Sequence, residues 1–560
     1  MDGDRIAVKQ QTRYLLIVPP LIFMGLFYFY PLASIFSLSF ASHEGTSFWG
    51  MEKLLSSAYY LRVLWFTTWQ AILSTFLTLV LALPAAFVFA RYSFRGKDLL
   101  LNLSTIPFVL PTVVTAAAFS ALLGRGGLVN AVLMLLFGID QPVIRLEHTV
   151  WFFLMAHVFY NFTVVLRLVG GFWARLPNQI HEAARVLGAT GRVVFFRVTL
   201  PLLAPAILAA SLLVFIFCFT SFGVVLILGG PRLATIEVEI FRQAVHLFNL
   251  PVAAALSLVQ LLFTFGLMAA YTLVERRSSL ALLPEATNKT ATPSPRPKDR
   301  LMINACLMGM AIFLGAPILA LFIRSILTET GLGLTYYLVL FENRAQSILY
   351  VAPVAAILNS IGFALAATLM ALILGCLSAA FLAGAKPKPA VLLDPLLMLP
   401  LSTSAVTLGF GFVIALDEPP LNLRSSWMLP AIAHALVALP FVIRSVLPAW
   451  RSIPRSLREA AAMLGASPLR AWLAVDWPIL SRALVVGAVF AFAISMGEFG
   501  ATVFVARPQT PTLPLAIYRY LNHPGSLNYG QAMAMSCLLM LTTAAGFGLL
   551  EKLKPASGNF

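Results

Sequence analysis

Displaced by 277 positions, the difference between 182 and 459, one long stretch of the chain lies on another. His157 falls on His434, Arg167 on Arg444, Trp173 on Trp450, Pro177 on Pro454, Glu182 on Glu459 and Gly188 on Gly465. The register then holds without a gap, placing Pro201 on Pro478, Phe222-Gly223 on Phe499-Gly500, Pro231 on Pro508, Thr235 on Thr512, Ile240 on Ile517 and Arg242 on Arg519. This is an internal duplication, so any fold the chain adopts must be built from two copies of one unit.

The most regular part of the repeat is a short motif. Glu182-Ala183-Ala184 is followed by Gly188 and then Pro201, and Glu459-Ala460-Ala461 by Gly465 and Pro478. Apolar residues recur at helical spacing before each glycine: Ile180, Ala183, Ala184 and Leu187, then Leu457, Ala460, Ala461 and Leu464. Each stretch reads as a short amphipathic helix, with a proline (Pro177, Pro454) at its first position and a C-capping glycine where φ must turn positive. Thr190 and Ser467 are expected to cap a second short helix, with Pro468 opening the latter copy and Pro201 or Pro478 limiting its length. A single Glu-Ala-Ala triplet reflects only helix-forming composition; its doubling at equal spacing is what singles it out.

The chain as a whole is 60% hydrophobic and 11% charged, with a mean hydropathy of +0.90, which excludes a soluble globule with one apolar core. Runs of roughly 20 apolar residues, enough to cross the bilayer as helices, occur about twelve times. The expected fold class is an all-α polytopic membrane protein made of two homologous six-helix halves. The expected spans are 14–38, 67–90, 99–122, 148–171, 205–228 and 251–274, then 301–323, 355–384, 390–416, 427–448, 482–505 and 530–552. The first follows Arg5, Lys9 and Arg13, and Phe40-Ala41-Ser42 resembles a weak cleavage site, but the run is about twice the length of a signal-peptide core and is expected to remain as a span.

Lys and Arg collect in loops on the cytoplasmic side. With both Glu-Ala-Ala loops inside, about 25 Lys and Arg fall on inner segments and about 11 on outer ones, which puts both termini in the cytoplasm. The net charge of +16 then points to contact with anionic lipid headgroups, not nucleic acid. The organisation expected is a first half over 1–283 with an inner loop at 172–204, a proline-rich cytoplasmic linker over 284–300, and a second half over 301–560 with an inner loop at 449–481. Asn288-Lys289-Thr290 matches a glycosylation sequon by chance. Even numbers of spans let both halves enter the membrane in the same direction and pair about an axis along its normal. The segment from Leu123 to Glu147 is about a dozen residues longer than its counterpart from Leu416 to Trp427, as loops tolerate.

Cys218, Cys306, Cys376 and Cys537 fall inside expected spans without metal-ligand spacing and read as packing residues. His157 and His434 are expected to bond across helices at mid-membrane. No metal site and no catalytic cluster is expected, and Gly96-Lys97-Asp98 lacks the upstream glycine of a phosphate-binding loop, so nucleotide hydrolysis by this chain is not expected.

The doubled motif on inner loops of a duplicated multi-span chain resembles the cytoplasmic signature of ABC importer permeases of the type I fold, here with both permease halves fused. Phe219-Thr220-Ser221-Phe222-Gly223 through Arg242, and Ser495-Met496-Gly497-Glu498-Phe499-Gly500 through Tyr520, resemble the fused permeases of the thiamine and ferric-iron importers, the thiamine type slightly more. Trp477 departs from the aliphatic residue usual before the motif's proline and is expected to alter packing only. The resemblance implies that Glu182, Ala183, Ala184, Gly188 and Pro201, with Glu459, Ala460, Ala461, Gly465 and Pro478, couple to two copies of a cytoplasmic ATPase. That ATPase would bind ATP and Mg2+, leaving no cofactor on this chain, while an extracytoplasmic binding protein delivers a small, cationic solute at the inner membrane. Ser221, Phe222, Glu498 and Phe499 are the residues expected along the substrate pathway.

A secondary transporter of six-plus-six architecture is the rival, but such carriers need buried charges for the coupling ion, and here only Asp394, Glu498, Arg167 and Arg444 qualify. A membrane-embedded enzyme has less support. Glu498, whose repeat partner is Ser221, is expected deep in the eleventh span. There an acid at mid-membrane costs roughly 3 kcal/mol, so it either packs a helix contact beside Gly497 and Gly500 or attracts cationic cargo.

Overall fold

The computed structural model describes residues 14–40, 49–279, 297–343, 351–384, 387–417, 419 and 421–553. Among these the fold is all-α apart from one two-residue hairpin, Leu327–Thr328 with Gly331–Leu332. The first half supplies α1 (Tyr14–Ser39), α2 (Ala58–Arg91), α3 (Thr112–Leu123), α4 (Val150–Trp173), α5 (Asn178–Val186), α6 (Gly191–Phe219), α7 (Ile236–Phe241) and α8 (Leu250–Ser279). The second supplies α9 (Pro297–Ile326), α10 (Pro353–Gly384), α11 (Ala405–Ala415), α12 (Leu429–Arg451), α13 (Arg455–Met463), α14 (Pro468–Gly497), α15 (Leu513–Leu521) and α16 (Ser526–Leu553).

Among the described residues, ten helices are long and apolar enough to cross a membrane. They become eleven if Val391–Ser402 and α11, bent 95° apart, form one span, and α16 lies where the twelfth was expected. Four expected spans take a different course. The run 99–122 divides into Lys97–Leu103, Ile106–Val109 and α3, and 390–416 divides at a tight turn over Leu399–Ser402. Pro107, Pro111 and Pro400 stand at these breaks; proline removes an amide donor and drives the preceding residue out of helical geometry. The runs 205–228 and 482–505 begin earlier, at Gly191 and Pro468, and stop earlier, at Phe219 and Gly497, each followed by a short separate helix, Gly223–Leu228 or Thr502–Val505.

Pro201 and Pro478 therefore do not end the second short helix of each motif. A five-residue π-turn (Phe195–Thr199, Trp472–Asp476) shifts the hydrogen-bond ladder ahead of each proline, and the short helix runs straight into the membrane. Of the expected linker, residues 284–296 lie outside the described residues. Residues 297–300 belong to α9, whose first position suits Pro297.

Small residues set the helix spacing, as they must where lipid offers no hydrophobic drive to pack. A Cβ on Gly375 of α10 would stand 2.6 Å from a Val442 methyl of α12, and one on Gly170 of α4 would touch Ala86 of α2 at 3.5 Å. The halves also exchange their first helices. α1 packs on α11 of the second half, with Tyr28 Oη 2.7 Å from Thr403 Oγ1 and Phe27 against Phe412. α9 packs in turn on α3, and its Phe313 meets Phe159 and Phe162 of α4, while the Arg324 guanidinium donates to the Gly126 carbonyl.

Candidate functional site

The two Glu-Ala-Ala motifs form matching elbows outside the long helices. Pro177 and Pro454 are the N-cap residues of α5 and α13, one position before the expected place. Both helices end in the same closing motif. Gly188 (φ +83°) and Gly465 (φ +79°) adopt the left-handed conformation, and Ala189 and Ala466 donate back to Ala184 and Ala461 at 3.1 and 3.0 Å. Thr190 and Ser467 precede the next helix as expected, though only Ser467 accepts a side-chain capping bond, from the Arg470 amide.

Glu182, Ala183, Gly188 and Pro201, and Glu459, Ala460, Gly465 and Pro478, are exposed; Ala184 and Ala461 are half-buried. The apolar stripe faces outward. Val186 and Leu187 are each 87% exposed, and Met463 and Leu464 each 89%, an arrangement that leaves two equivalent greasy helix ends without cover among the described residues.

What fastens each elbow to the bundle is a pair at repeat-equivalent positions that the sequence reading missed. In the first half the imidazole Nε2 of His181 lies 3.0 Å from Thr199 Oγ1, and in the second Arg458 Nε donates to Asp476 Oδ1 at 2.7 Å. Both join the motif helix to the foot of α6 or α14. Burial pulls the His181 imidazole below its ordinary 6.5, with Arg91 and Arg185 pressing the same way against an opposing hydrogen bond to the Pro177 carbonyl, so the side chain is held neutral. The signal was present in the shift itself, which lays His181 on Arg458 and Thr199 on Asp476.

The four expected pathway residues lie at the breaks that follow α6 and α14. Phe222 and Phe499 meet face to face, ring centroids 5.4 Å apart and planes 23° from parallel, both buried. Because they are repeat equivalents in mutual contact, they mark the axis relating the halves. Phe241 and Tyr518 flank the stack, and Gly223 has no room for a side chain, since a Cβ would come 2.5 Å from Thr112 Oγ1.

Ser221 lies 2.9 Å from His157 Nε2, and the Nδ1 of His157 is 2.9 Å from Ser74. Glu498 is not inside the helix of the eleventh span but caps its end, because the backbone turns extended there. Its carboxylate accepts from the Ala501 and Thr502 amides at 2.8 and 2.9 Å and lies 3.3 Å from His434 Nε2. His434 also bonds Ser495 and Thr502, so both histidines bond across helices as expected. The orphan donors of the Thr502–Val505 turn thus consume the charge of Glu498.

Two other carboxylates escaped the sequence reading because they sit on α7, outside the expected spans. Glu239 bonds Tyr59, Arg242 and Gln243. Glu237, 2% exposed, accepts from Gln260 at 2.6 Å and faces Ser404 of the second half, and no ion pair reaches it among the described residues. Their second-half counterparts are Pro514 and Ala516. Cys218, Cys306, Cys376 and Cys537 are free thiols within helices.

Residues 79–280 and 371–556 each match the family model described as binding-protein-dependent transport system inner membrane component. The chain belongs to this family. It is an ABC importer permease, an all-α multi-pass protein with both permease units in one chain. Relatives include the thiamine transport system permease protein ThiP of Brucella abortus (strain 2308), 30% identical over 488 residues, covering 86% of this chain and 85% of that protein. ThiP of Escherichia coli (strain K12) is 26% identical over 503 residues, covering 89% of each. Among solved structures, a bacterial ABC transporter involved in the import of the acidic polysaccharide alginate covers 50% of this chain and 99% of its own, at 16% identity and a TM-score of 0.41.

Proposed function

We propose that this permease imports thiamine, a cation, by ATP-driven alternating access, with two copies of a cytoplasmic ATPase docked on α5 and α13 and an extracytoplasmic binding protein delivering the cargo. ATP and Mg2+ belong to the ATPases in this reading. The observation that carries it is the repeat-related pair of exposed helix ends, Val186-Leu187 and Met463-Leu464, each held at a fixed angle by a positive-φ glycine. A short apolar helix end suits insertion into a groove on a partner, where Glu182 and Glu459 would meet basic side chains. Drawing the two elbows together would turn the halves about the axis marked by Phe222 and Phe499 and part the stack. The names of the relatives favour thiamine over ferric iron.

The test is reconstitution in proteoliposomes with an ABC ATPase and a thiamine-binding protein from the same organism. ATP hydrolysis stimulated by thiamine-loaded binding protein, with uptake of thiamine, is the expected result. Uptake driven by an ion gradient without the ATPase would overturn it in favour of a secondary carrier. Orientation is tested separately: cysteines introduced at Lys289 and in either motif loop should label only from the cytoplasm, and ones at Gly229 or Gln509 only from outside. Labelling of positions 289 and 509 from one side would break the arrangement.

A further inference from the structure

A buried polar patch lies in the seam between the halves, where α7 of the first packs on α11 of the second and α8 packs on the turn before it. At its centre is the Glu237 carboxylate. Among the described residues only two side chains reach it, the Gln260 amide of α8 at 2.6 Å and the Ser404 hydroxyl that caps α11, and both are neutral. Around them stand polar oxygens with no hydrogen-bond partner among the described residues: Gln260 Oε1, Ser257 Oγ one turn earlier on α8, and Thr407 Oγ1 one turn on from Ser404. All three side chains are at most 1% exposed, and buried polar atoms are ordinarily paired, so the group calls for a reason. The fold itself does not supply one. The shift of 277 positions lays Glu237 on Pro514, Ser257 on Ala534 and Gln260 on Cys537, so the second half builds the same joint, α15 on α16, without an acid, an amide or a hydroxyl at these places.

The patch adjoins the axis between the halves. Phe241, one turn on from Glu237 along α7, lies 5.6 Å from Phe222 of the central stack. Tyr160 of α4, which bonds Ser221, is within electrostatic reach of the Glu237 charge. An acid buried in a membrane bundle without a cationic neighbour belongs to a binding site or a pathway. A carboxylate among lone-pair oxygens, with aromatic faces alongside, matches an organic cation that carries a flat ring: oxygen meets the charge and the rings meet the body. We propose that Glu237, assisted by Gln260 and Phe241, is the residue that selects a positively charged organic cargo as the seam between the halves opens. This rests on the reading above that the cargo is thiamine. Two neutral donors and the positive end of α11 offset part of the desolvation of the carboxylate, and the cargo's charge supplies the rest. Glu498 differs, because two backbone amides and His434 already hold it.

The test uses the full-length protein in nanodiscs, alone and with its ATPase held by ATP and vanadate, and measures radiolabelled thiamine by equilibrium dialysis. Glu237→Gln keeps the size of the side chain and removes its charge. It should weaken thiamine binding by about tenfold or more, as loss of a charge-assisted contact predicts, and lower uptake in proteoliposomes alike, while ATP hydrolysis stimulated by the binding protein persists. Glu237→Asp retains the charge and should recover part of the binding. Gln260→Met leaves the acid in place and should weaken binding several-fold, which reads the site independently of any loss of fold in Glu237→Gln; thermal unfolding checks each variant. Equal binding by the unaltered protein and folded Glu237→Gln, or by Gln260→Met should that variant not fold, overturns the proposal, as does the absence of saturable thiamine binding in both states. Binding that depends on Glu237 without ATP-driven uptake by the unaltered protein would overturn the transport reading instead and uphold the site.

Discussion

The two elbows share backbone, length and glycine conformation, yet they are fastened by different chemistry. The first rests on a neutral His181–Thr199 contact, the second on the Arg458–Asp476 ion pair. The breaks in the membrane helices differ in the same sense, with Ser221 bonded to His157 on one side and Glu498 bonded to His434 and two amides on the other. Duplication preserved the geometry that a docked partner would read and let the local electrostatics diverge. The lesson is that backbone conformation is the shared constraint, and the side chains that hold it are interchangeable.

The largest effect should come from attacking what the elbows share. Gly188→Asp and Gly465→Asp place a side chain at φ near +80°, which costs on the order of 1 kcal/mol or more and re-aims the helix. Nothing within 4 Å crowds the new Cβ, so membrane insertion should be unchanged while ATP-coupled import falls by at least about tenfold in each. Wild-type import by either variant, with its ATPase bound, would remove the coupling role and with it the reason for the symmetry.

Next in size is Glu498→Leu, which strands the Ala501 and Thr502 amides. A cost of about 3 kcal/mol in unfolding stability is expected, from two buried donors left unpaired. Glu498→Gln keeps an acceptor and should import at close to the normal rate. If the glutamine variant instead folds normally and imports several-fold less, Glu498 attracts cargo and the second break is not merely the charged version of the first.

A smaller difference separates the fastenings directly. Asp476→Ala leaves Arg458 facing a half-buried site and should cost about 1 to 2 kcal/mol, between the values for surface and buried pairs. Thr199→Val removes one hydrogen bond and should cost about 1 kcal/mol or less. Equal melting shifts for the two variants would erase the contrast.

The smallest effect is in pH. The folded-state pKa of His181 is depressed, so its stabilisation is present above about 6.5 and is lost as pH falls below that value toward the folded pKa. Acidification from neutral to about pH 5.5 should therefore loosen the first elbow, read as faster proteolysis within 178–190, and spare the second. Converting the first to the second, with His181→Arg/Thr199→Asp, should abolish the acid response; its persistence would assign the titration to another group.

Much of this was legible in order along the chain. The positive-φ glycines follow from Gly188 and Gly465 closing runs of helical periodicity, and the long spans follow from apolar length. The course of the backbone at Phe219–Gly223 and Gly497–Thr502 was not legible, because an apolar run reads the same whether one helix crosses it or two meet in a break. The roles of His181 and Asp476 were hidden for a related reason. A polar side chain near a helix end has many local partners, and only the fold selects the one 18 residues away.

By itself the sequence determined the duplication, the membrane class, the paired motif helices and the membership that their spacing announces, since each rests on periodicity or identity within a few turns of chain. The tertiary structure decided what depends on distant partners. It set the exchange of first helices, in which Tyr28 meets Thr403 across 375 positions, and the Phe222–Phe499 stack on the axis between halves. It also decided which carboxylates are spent, as Glu498 is on its own turn, and which, like Glu237, are left among neutral neighbours. In a chain that is apolar nearly throughout, helix formation is local and pattern suffices to read it. Contacts between helices turn instead on small residues and scattered hydrogen bonds whose partners exist only once the bundle is assembled.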